Sequence, residues 1–210
     1  SGTSPRREAR PPENLEFFNG IGGFARDGRE YVTVLQNGAT TPAPWINVVS
    51  NPGFGFQASA DGSGYTWADN SRENQITAWS YDPVVDPAGE AIYVRDDATG
   101  ALLTATAQPI RDTGTYVARH EFGSCRFEHD ADGLSLALLQ FVPRADPIKI
   151  SRLTIRNLSD RPRRLSVTAY AECVLGTSRG ASGPFIATQM DPDSGAMFAT
   201  NPWSLAFADR

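Results

Sequence analysis

Glu30-Tyr31-Val32-Thr33-Val34-Leu35, closed by the turn dipeptide Asn37-Gly38, is the stretch from which the fold reads. β-Branched and aromatic residues fit a pleated, half-buried surface, and Asn-Gly suits a tight reversal. The pattern recurs outward from there. Trp45-Ile46-Asn47-Val48-Val49 stops at Asn51-Pro52-Gly53; Phe54, Phe56 and Ala58 then alternate with Gly55, Gln57 and Ser59 before Asp61-Gly62. A strand with one buried face requires such period-two alternation. Glu90-Ala91-Ile92-Tyr93-Val94-Arg95-Asp96 runs into Ala98-Thr99-Gly100, with residues 102–105 as the return strand. Residues 115–120 and 125–129 follow, with Asp132-Gly133 as their next turn. The apolar run 134–142 begins after Gly133 and ends at Pro143, which favours a strand over a helix. Residues 148–156 alternate with a one-residue slip between Ile150 and Leu153, read as a bulge, and residues 164–175 read as one long strand.

Apolar residues nowhere hold helical spacing with caps at both ends. Roughly ten strands separated by about 8–15 residues predict an all-β sandwich or barrel, and the absence of a fixed repeat argues against a propeller. The 210 residues carry 19 Gly and 15 Pro, as frequent turns demand. Nineteen basic against 24 acidic residues give a net charge of −5, which argues against a nucleic-acid or anionic-membrane surface. Lys149 is the sole lysine, so the remaining cationic charge sits on arginine. Cys125 and Cys173 are far apart with no CxxC; one disulfide between them is open but unforced, and two reduced thiols in a cytosolic domain is the simpler reading. No apolar run approaches the ~20 residues needed to span a bilayer. Residues 1–14 read as a flexible lead-in without a signal-peptide core, and residues 15–210 as the sandwich. Trp203 and Phe207 near the end suggest a cut through a longer polypeptide, with the last strands of the sandwich omitted.

Catalytic signatures such as GxSxG, GxxxxGK[ST] and HExxH are missing. Gly20-Ile21-Gly22-Gly23 suits a tight turn better than a phosphate cradle, because no helix follows it. His120 and His129, beside Glu121 and Glu128, could face each other across a hairpin, but a third well-spaced metal ligand is lacking. The richest stretch is 62–86, holding Tyr65, Trp67, Asp69, Asn70, Arg72, Glu73, Asn74, Gln75, Trp79 and Tyr81. Sugars are bound by this mixture: aromatic faces cover C–H surface while amides, carboxylates and guanidinium groups bond hydroxyls. The alternative is that Trp67, Trp79 and Tyr81 are core aromatics and that residues 72–74 satisfy a turn, which composition alone favours. Trp45, beside Pro42 and Pro44, carries the same ambiguity.

Leu15-Glu-Phe-Phe-Asn-Gly-Ile-Gly-Gly-Phe24, Thr41-Pro-Ala-Pro-Trp-Ile-Asn-Val48, Gly64-Tyr-Thr-Trp67 and Asn70-Ser-Arg-Glu-Asn-Gln75 stand in a distinctive order. Gly89-Glu90, Tyr93-Val-Arg-Asp96, Phe141-Val-Pro143, Lys149-Ile150 with Leu153, and Asn201-Pro-Trp203 extend it. Together, across residues 15–210, they resemble the amino-terminal β-sandwich of the glycoside phosphorylase family that includes cellobiose and chitobiose phosphorylases. Within it they are most similar to the phosphorylase-like region of bacterial cyclic β-1,2-glucan synthetases. The resemblance implies an antiparallel supersandwich of the galactose-mutarotase type. In that family a helical linker and a catalytic (α/α)6 barrel follow, and the barrel holds the acid and the phosphate site. The 210 residues would then have no catalytic residue, metal or cofactor of their own; inorganic phosphate would be a co-substrate of the parent, attacking a β-glucosidic bond with inversion.

The implied partners are a β-glucan oligosaccharide, the barrel of the same polypeptide and a second copy in a homodimer. The implied setting is cytoplasmic, with a parent anchored to the bacterial inner membrane. A sugar-facing role carries over best to Arg72, Glu73, Asn74 and Gln75, with Tyr65, Trp67 and Trp79 as the aromatic part of the site. Two departures stand out: Cys173 where Trp is usual, and Ala78 where Pro is usual, the latter loosening a loop. Three readings follow: an accessory domain supporting the barrel, an independent carbohydrate-binding module with an open aromatic platform, and a dimerisation sandwich without sugar contact. A platform leaves its ring faces open, a docking domain buries them, and a dimerisation sandwich exposes a large apolar patch.

Overall fold

In the computed structural model, residues 14–80 and 82–208 are described. The lead-in at 1–13 and Tyr81 lie outside them. Six strands form the first sheet: β1 (Gly22–Ala25), β2 (Glu30–Leu35), β9 (Tyr116–Glu121), β10 (Ser124–Ala131), β11 (Leu134–Phe141) and β12 (Ile150–Asn157), in that spatial order. The second holds five, ordered β14 (Cys173–Gly176), β6 (Gln75–Thr77), β5 (Gly64–Ala68), β4 (Phe54–Ser59) and β3 (Ile46–Asn51). The order β13 (Leu165–Ala171), β7 (Glu90–Asp96) and β8 (Leu102–Thr104) makes a third sheet, and β15 (Ala187–Met190) pairs with β16 (Met197–Thr200). Every pairing is antiparallel. The described helical structure is one turn, α1 (Arg179–Ser182), and the 3-10 turn Gly183–Phe185.

The core shows that these sheets are the layers of a sandwich. Ala118, Cys125, Phe127, Leu134, Leu136 and Leu138 from the first sheet meet Val49, Phe56 and Ala58 from the second and Val94 and Leu103 from the third. Their positions follow the alternation in the sequence, since every second residue is buried along β10 and in β11 as far as Leu138.

Three expectations change. Among the described residues sixteen strands replace roughly ten, because those of three or four residues are too short to show alternation. No bulge separates Ile150 from Leu153: β12 pairs with β11 in unbroken register from Phe141↔Ile150 to Leu134↔Asn157. Leu153 and Ile155 pack on the core, so Ile150 lies on the opposite face. The long strand 164–175 is two strands in two sheets. Glu172 marks the switch: its N–H donates to Gly89 O at 2.8 Å, and its carbonyl accepts from Ala78 N at 3.0 Å. That last bond also pins the loop that Ala78 was expected to loosen, and a proline there would lack the donor.

Candidate functional site

The cross-strand register assembles the aromatic segment. Gly55 faces Trp67, Trp67 faces Gln75, and Gln57 faces Tyr65. Partners in an antiparallel ladder share a sheet face. Phe56 and Ala58 point into the core, so Gly55, Gln57, Tyr65, Trp67 and Gln75 lie on the outer face of the second sheet. Gly55 is required here, because a Cβ would come within 2.5 Å of the Trp67 indole. Tyr65 and Trp67 pack at 5.2 Å, and Trp79 stacks on Tyr65 at 5.0 Å with the rings 4° from parallel. Tyr65 is 5% and Trp67 9% exposed, and Trp79 is half-buried. The chain's own packing buries Tyr65 and Trp67, as the core-aromatic alternative expects and an open platform does not.

The remaining sequence candidates divide. In the turn 70–74, Asn70 Oδ1 accepts from the backbone N–H groups of Arg72 and Glu73 at 2.9 and 3.0 Å. The Arg72 and Glu73 side chains project into solvent and approach each other at 3.5 Å. Asn74 is half-buried, while its carbonyl accepts from Ala68 N–H at 3.1 Å and so closes the loop onto β5. Gln75 is 1% exposed, and its Nε2 has no hydrogen-bond partner. The structure therefore joins Tyr65, Trp67, Gln75 and Trp79 and holds Arg72 and Glu73 at the solvent end of the same hairpin.

Three residues missed by the sequence reading, Ser59, Ser80 and Asp86, each hold a buried side-chain atom without a partner. Among the described residues, five buried side-chain polar atoms lack a partner: Ser59 Oγ, Gln75 Nε2, Ser80 Oγ, Asp86 Oδ2 and His120 Nε2. Ser59 continues the outward alternation of Gly55 and Gln57, Ser80 follows Trp79, and Asp86 ends the loop after it. Buried polar atoms normally find partners; Gln75, opposite Trp67, and Ser80, which follows Trp79, place two of these unpaired atoms next to residues of the aromatic stack. Asp61, near Asp86, has its pKa raised, with burial outweighing the Arg111 guanidinium held at 2.6 Å. A serine or aspartate orphan has no signature in sequence; the alternation through Ser59 was the one available hint.

The comparisons with known proteins settle the family. The glycosyl hydrolase 94 supersandwich domain matches residues 29–210. The chain belongs to this family. It is 46% identical over 198 residues to the cyclic β-(1,2)-glucan synthase NdvB of Rhizobium meliloti (strain 1021), which covers 94% of the chain and 7% of that relative. It is 31% identical over 154 residues to the N,N'-diacetylchitobiose phosphorylase of Vibrio furnissii, covering 72% of the chain and 19% of the relative. A solabiose phosphorylase of Paenibacillus borealis is 27% identical over 165 residues, covering 73% and 20%. The chain spans at most about a fifth of the length of these relatives. No helix among its described residues is long and apolar enough to cross a membrane.

Elsewhere the supersandwich places a second polar group between its sheets. Lys149 Nζ donates to Glu90 Oε2 at 2.5 Å and sits 4.5 Å over the Phe56 ring; Glu90 Oε1 accepts from the Thr66 and Thr77 hydroxyls at 2.6 and 2.5 Å. A cleft of about 170 Å³ opens beside the pair, bounded by Gln140, Ser151, Ala169 and Tyr170. Burial pushes the Glu90 carboxyl up, but Lys149 and the two hydroxyls outweigh it and hold the pKa below the usual carboxylate range. An ionised carboxylate with both oxygens engaged suits structural anchoring, not proton donation. His120 and His129 do share a face of β9 and β10. They do not converge: His129 pairs opposite Tyr116, four residues or ~13 Å along β9 from His120. His129 instead bonds Thr115 O at 2.9 Å and Asp112 Oδ2 at 3.2 Å, and no group of three metal-ligating residues forms among the described residues. Gly22 and Gly23 lie in β1 behind a turn in which Asn19 Oδ1 accepts from the N–H groups of Ile21 and Gly22, the structural role expected for that loop.

Proposed function

We propose that the chain is a non-catalytic supersandwich module of a larger β-glucan-processing protein, a glycosyltransferase or glycoside phosphorylase, and that its Tyr65–Trp79 face contributes to carbohydrate binding. The observation that carries this reading is the hairpin that holds the Tyr65–Trp67–Trp79 stack and carries the solvent-exposed Arg72 and Glu73 side chains at its end. The exposed Arg72 and Glu73 side chains offer hydrogen-bonding groups that sugar hydroxyls can reach. The relatives named for a β-(1,2)-glucan, for diacetylchitobiose and for solabiose support a saccharide as the ligand class. In this reading the parent's barrel performs the chemistry with inorganic phosphate as co-substrate and the sandwich supports it. The parent works on the cytoplasmic side, anchored at the bacterial inner membrane. Burial of Tyr65 and Trp67 within the chain argues against an independent module with an open platform of those rings.

The test is calorimetric titration of the 210-residue protein with β-1,2-glucan and sophorose, with cellobiose as the control. Saturable binding lost in Arg72→Ala supports direct recognition, because that exposed side chain can be removed without disturbing the core. Absence of heat at ligand concentrations of about 1 mM, where binding would be worth ~4 kcal/mol, removes the claim that the chain binds sugar by itself.

A further inference from the structure

We propose that the cleft between the β3–β4 turn, the end of β5 and the loop after β11 binds one neutral sugar unit, held by the Asp69 carboxylate and the Arg144 guanidinium. The proposal rests on the carbohydrate reading above and deepens it, placing two contacts outside the turn 70–74.

Three stretches distant in sequence meet at this cleft. The turn 51–53 closes β3, Ala68 ends β5 with Asp69 next, and residues 143–147 follow β11. Asn51 braces the first against the third: its Nδ2 donates to Pro143 O and Asp146 O, both at 2.9 Å, and its Oδ1 accepts from Gly53 N–H at 3.0 Å. Asp69 N–H donates to Gly53 O at 2.9 Å, which ties the second stretch to the first. Between them lies a cleft of about 450 Å³, within the size range of small-molecule sites. The bracing is internal to the chain, so the cleft keeps its shape without a neighbouring strand, and a site shaped in advance spends less of its binding energy on ordering.

The lining suits a sugar in kind. Pro52, Ala68, Ala145 and Pro147 offer apolar surface to C–H groups, and two charged side chains offer directional bonds. Asp69 and Arg144 are exposed, and neither side chain has an ion pair or hydrogen bond among the described residues. An anion in the cleft would meet the carboxylate and a cation the guanidinium. A neutral polyol serves both, because its hydroxyls donate to Asp69 and accept from Arg144. Two features make the site open to a clean test. Asp69 has a left-handed backbone, with φ 58°, which asparagine also tolerates, so Asp69→Asn removes the charge and keeps the turn. A Cβ at Gly53 would meet only the Asp69 carboxylate, at an ordinary contact distance of 3.6 Å, so Gly53→Ala crowds that group without strain.

Titration of the isotope-labelled 210-residue protein with sophorose, followed through its amide NMR shifts, tests the proposal, with glycine as a zwitterionic control. The expected result is saturable movement of the Gly53, Asp69 and Ala145 amides. Asp69→Asn and Arg144→Ala should each raise the Kd about tenfold or more, as loss of a charged hydrogen bond predicts, and Gly53→Ala should weaken binding in the same direction. Movement confined to the turn 70–74, with binding lost in Arg72→Ala and unchanged in the cleft variants, overturns the proposal and leaves the carbohydrate reading standing. Binding lost in the cleft variants and unchanged in Arg72→Ala supports the proposal and removes the Arg72 contact from that reading. Cleft amides that move with glycine and not with sophorose overturn it and assign the cleft to a zwitterion. No movement with sophorose at about 10 mM overturns it outright. Both charged side chains are exposed, so their variants report binding and leave the core intact.

Discussion

Replacing Lys149 with methionine strips the only lysine from a carboxylate that is barely solvated. The Glu90 and Lys149 side chains are 20% and 13% exposed, too buried for solvent to screen the pair away. Breaking a buried pair costs about 3–5 kcal/mol when the partner charge is left behind. Glu90 keeps the Thr66 and Thr77 hydroxyls in Lys149→Met, so the lower end, about 3 kcal/mol, is expected. With a urea dependence of about 2–3 kcal/mol per molar, the unfolding midpoint should fall by about 1 M. Adding Glu90→Gln removes the stranded charge and should return most of the loss. The pH dependence reverses between proteins. In the native protein the depressed Glu90 pKa contributes stability above the unfolded carboxylate pKa, and this is lost as pH falls through the folded value. In Lys149→Met burial is the dominant influence left and raises the pKa, so protonation relieves the variant and its deficit shrinks from pH 7 towards about pH 4. Urea titrations at both pH values check this. A deficit below about 1 kcal/mol, or one unchanged by pH and by Glu90→Gln, would refute the reasoning.

Gly55→Ala should cost about 1–3 kcal/mol in chemical denaturation, because its Cβ would approach Trp67 to 2.5 Å and Ser50 Cβ to 2.8 Å; an unchanged midpoint would mean the indole shifts freely. Burial depresses the His120 pKa from 6.5 to about 4. The unfolded chain therefore takes the proton first, and stability should fall by about 3 kcal/mol between pH 6.5 and 4, a loss absent from His120→Leu when the two pH profiles are compared. Cys125 is fully buried, and burial pushes its pKa to about 11; Cys173 is partly exposed with a pKa also raised by burial. Thiol titration with a disulfide reagent should label Cys173 in the native state and Cys125 only at the rate of unfolding, and equal rates would contradict the packing of the core.

The strands were legible because the two faces of a sandwich differ in solvent contact, and that difference writes itself as alternation in β4, β10 and β11. What failed was information about pairing. Residues 164–175 contain no glycine or proline at the place where the chain changes sheets; the break at Glu172 exists because Gly89 and Ala78, distant in sequence, supply its backbone partners. The slip at Ile150 looked like a bulge because inwardness was equated with apolarity. The inward positions before Leu153 are Ser151 and Lys149, polar residues that border the cleft and meet Glu90.

The same limit shaped the reading of the site. Tyr65, Trp67 and Trp79 could be named from composition, but whether they formed a platform or a packed stack depended on Gly55, which yields its side-chain volume to Trp67 from a neighbouring strand. Glu90 and Lys149 both stood in the sequence motifs without revealing that they touch, since 59 residues separate them. Polar orphans are still further from the sequence, because an unsatisfied atom is defined by everything around it that fails to bond. Aromatic content alone leaves core and ligand face equally described. The geometry separates them: Tyr65 and Trp67 are buried by the chain's own packing, while Arg72 and Glu73 at the end of the same hairpin stay open to solvent.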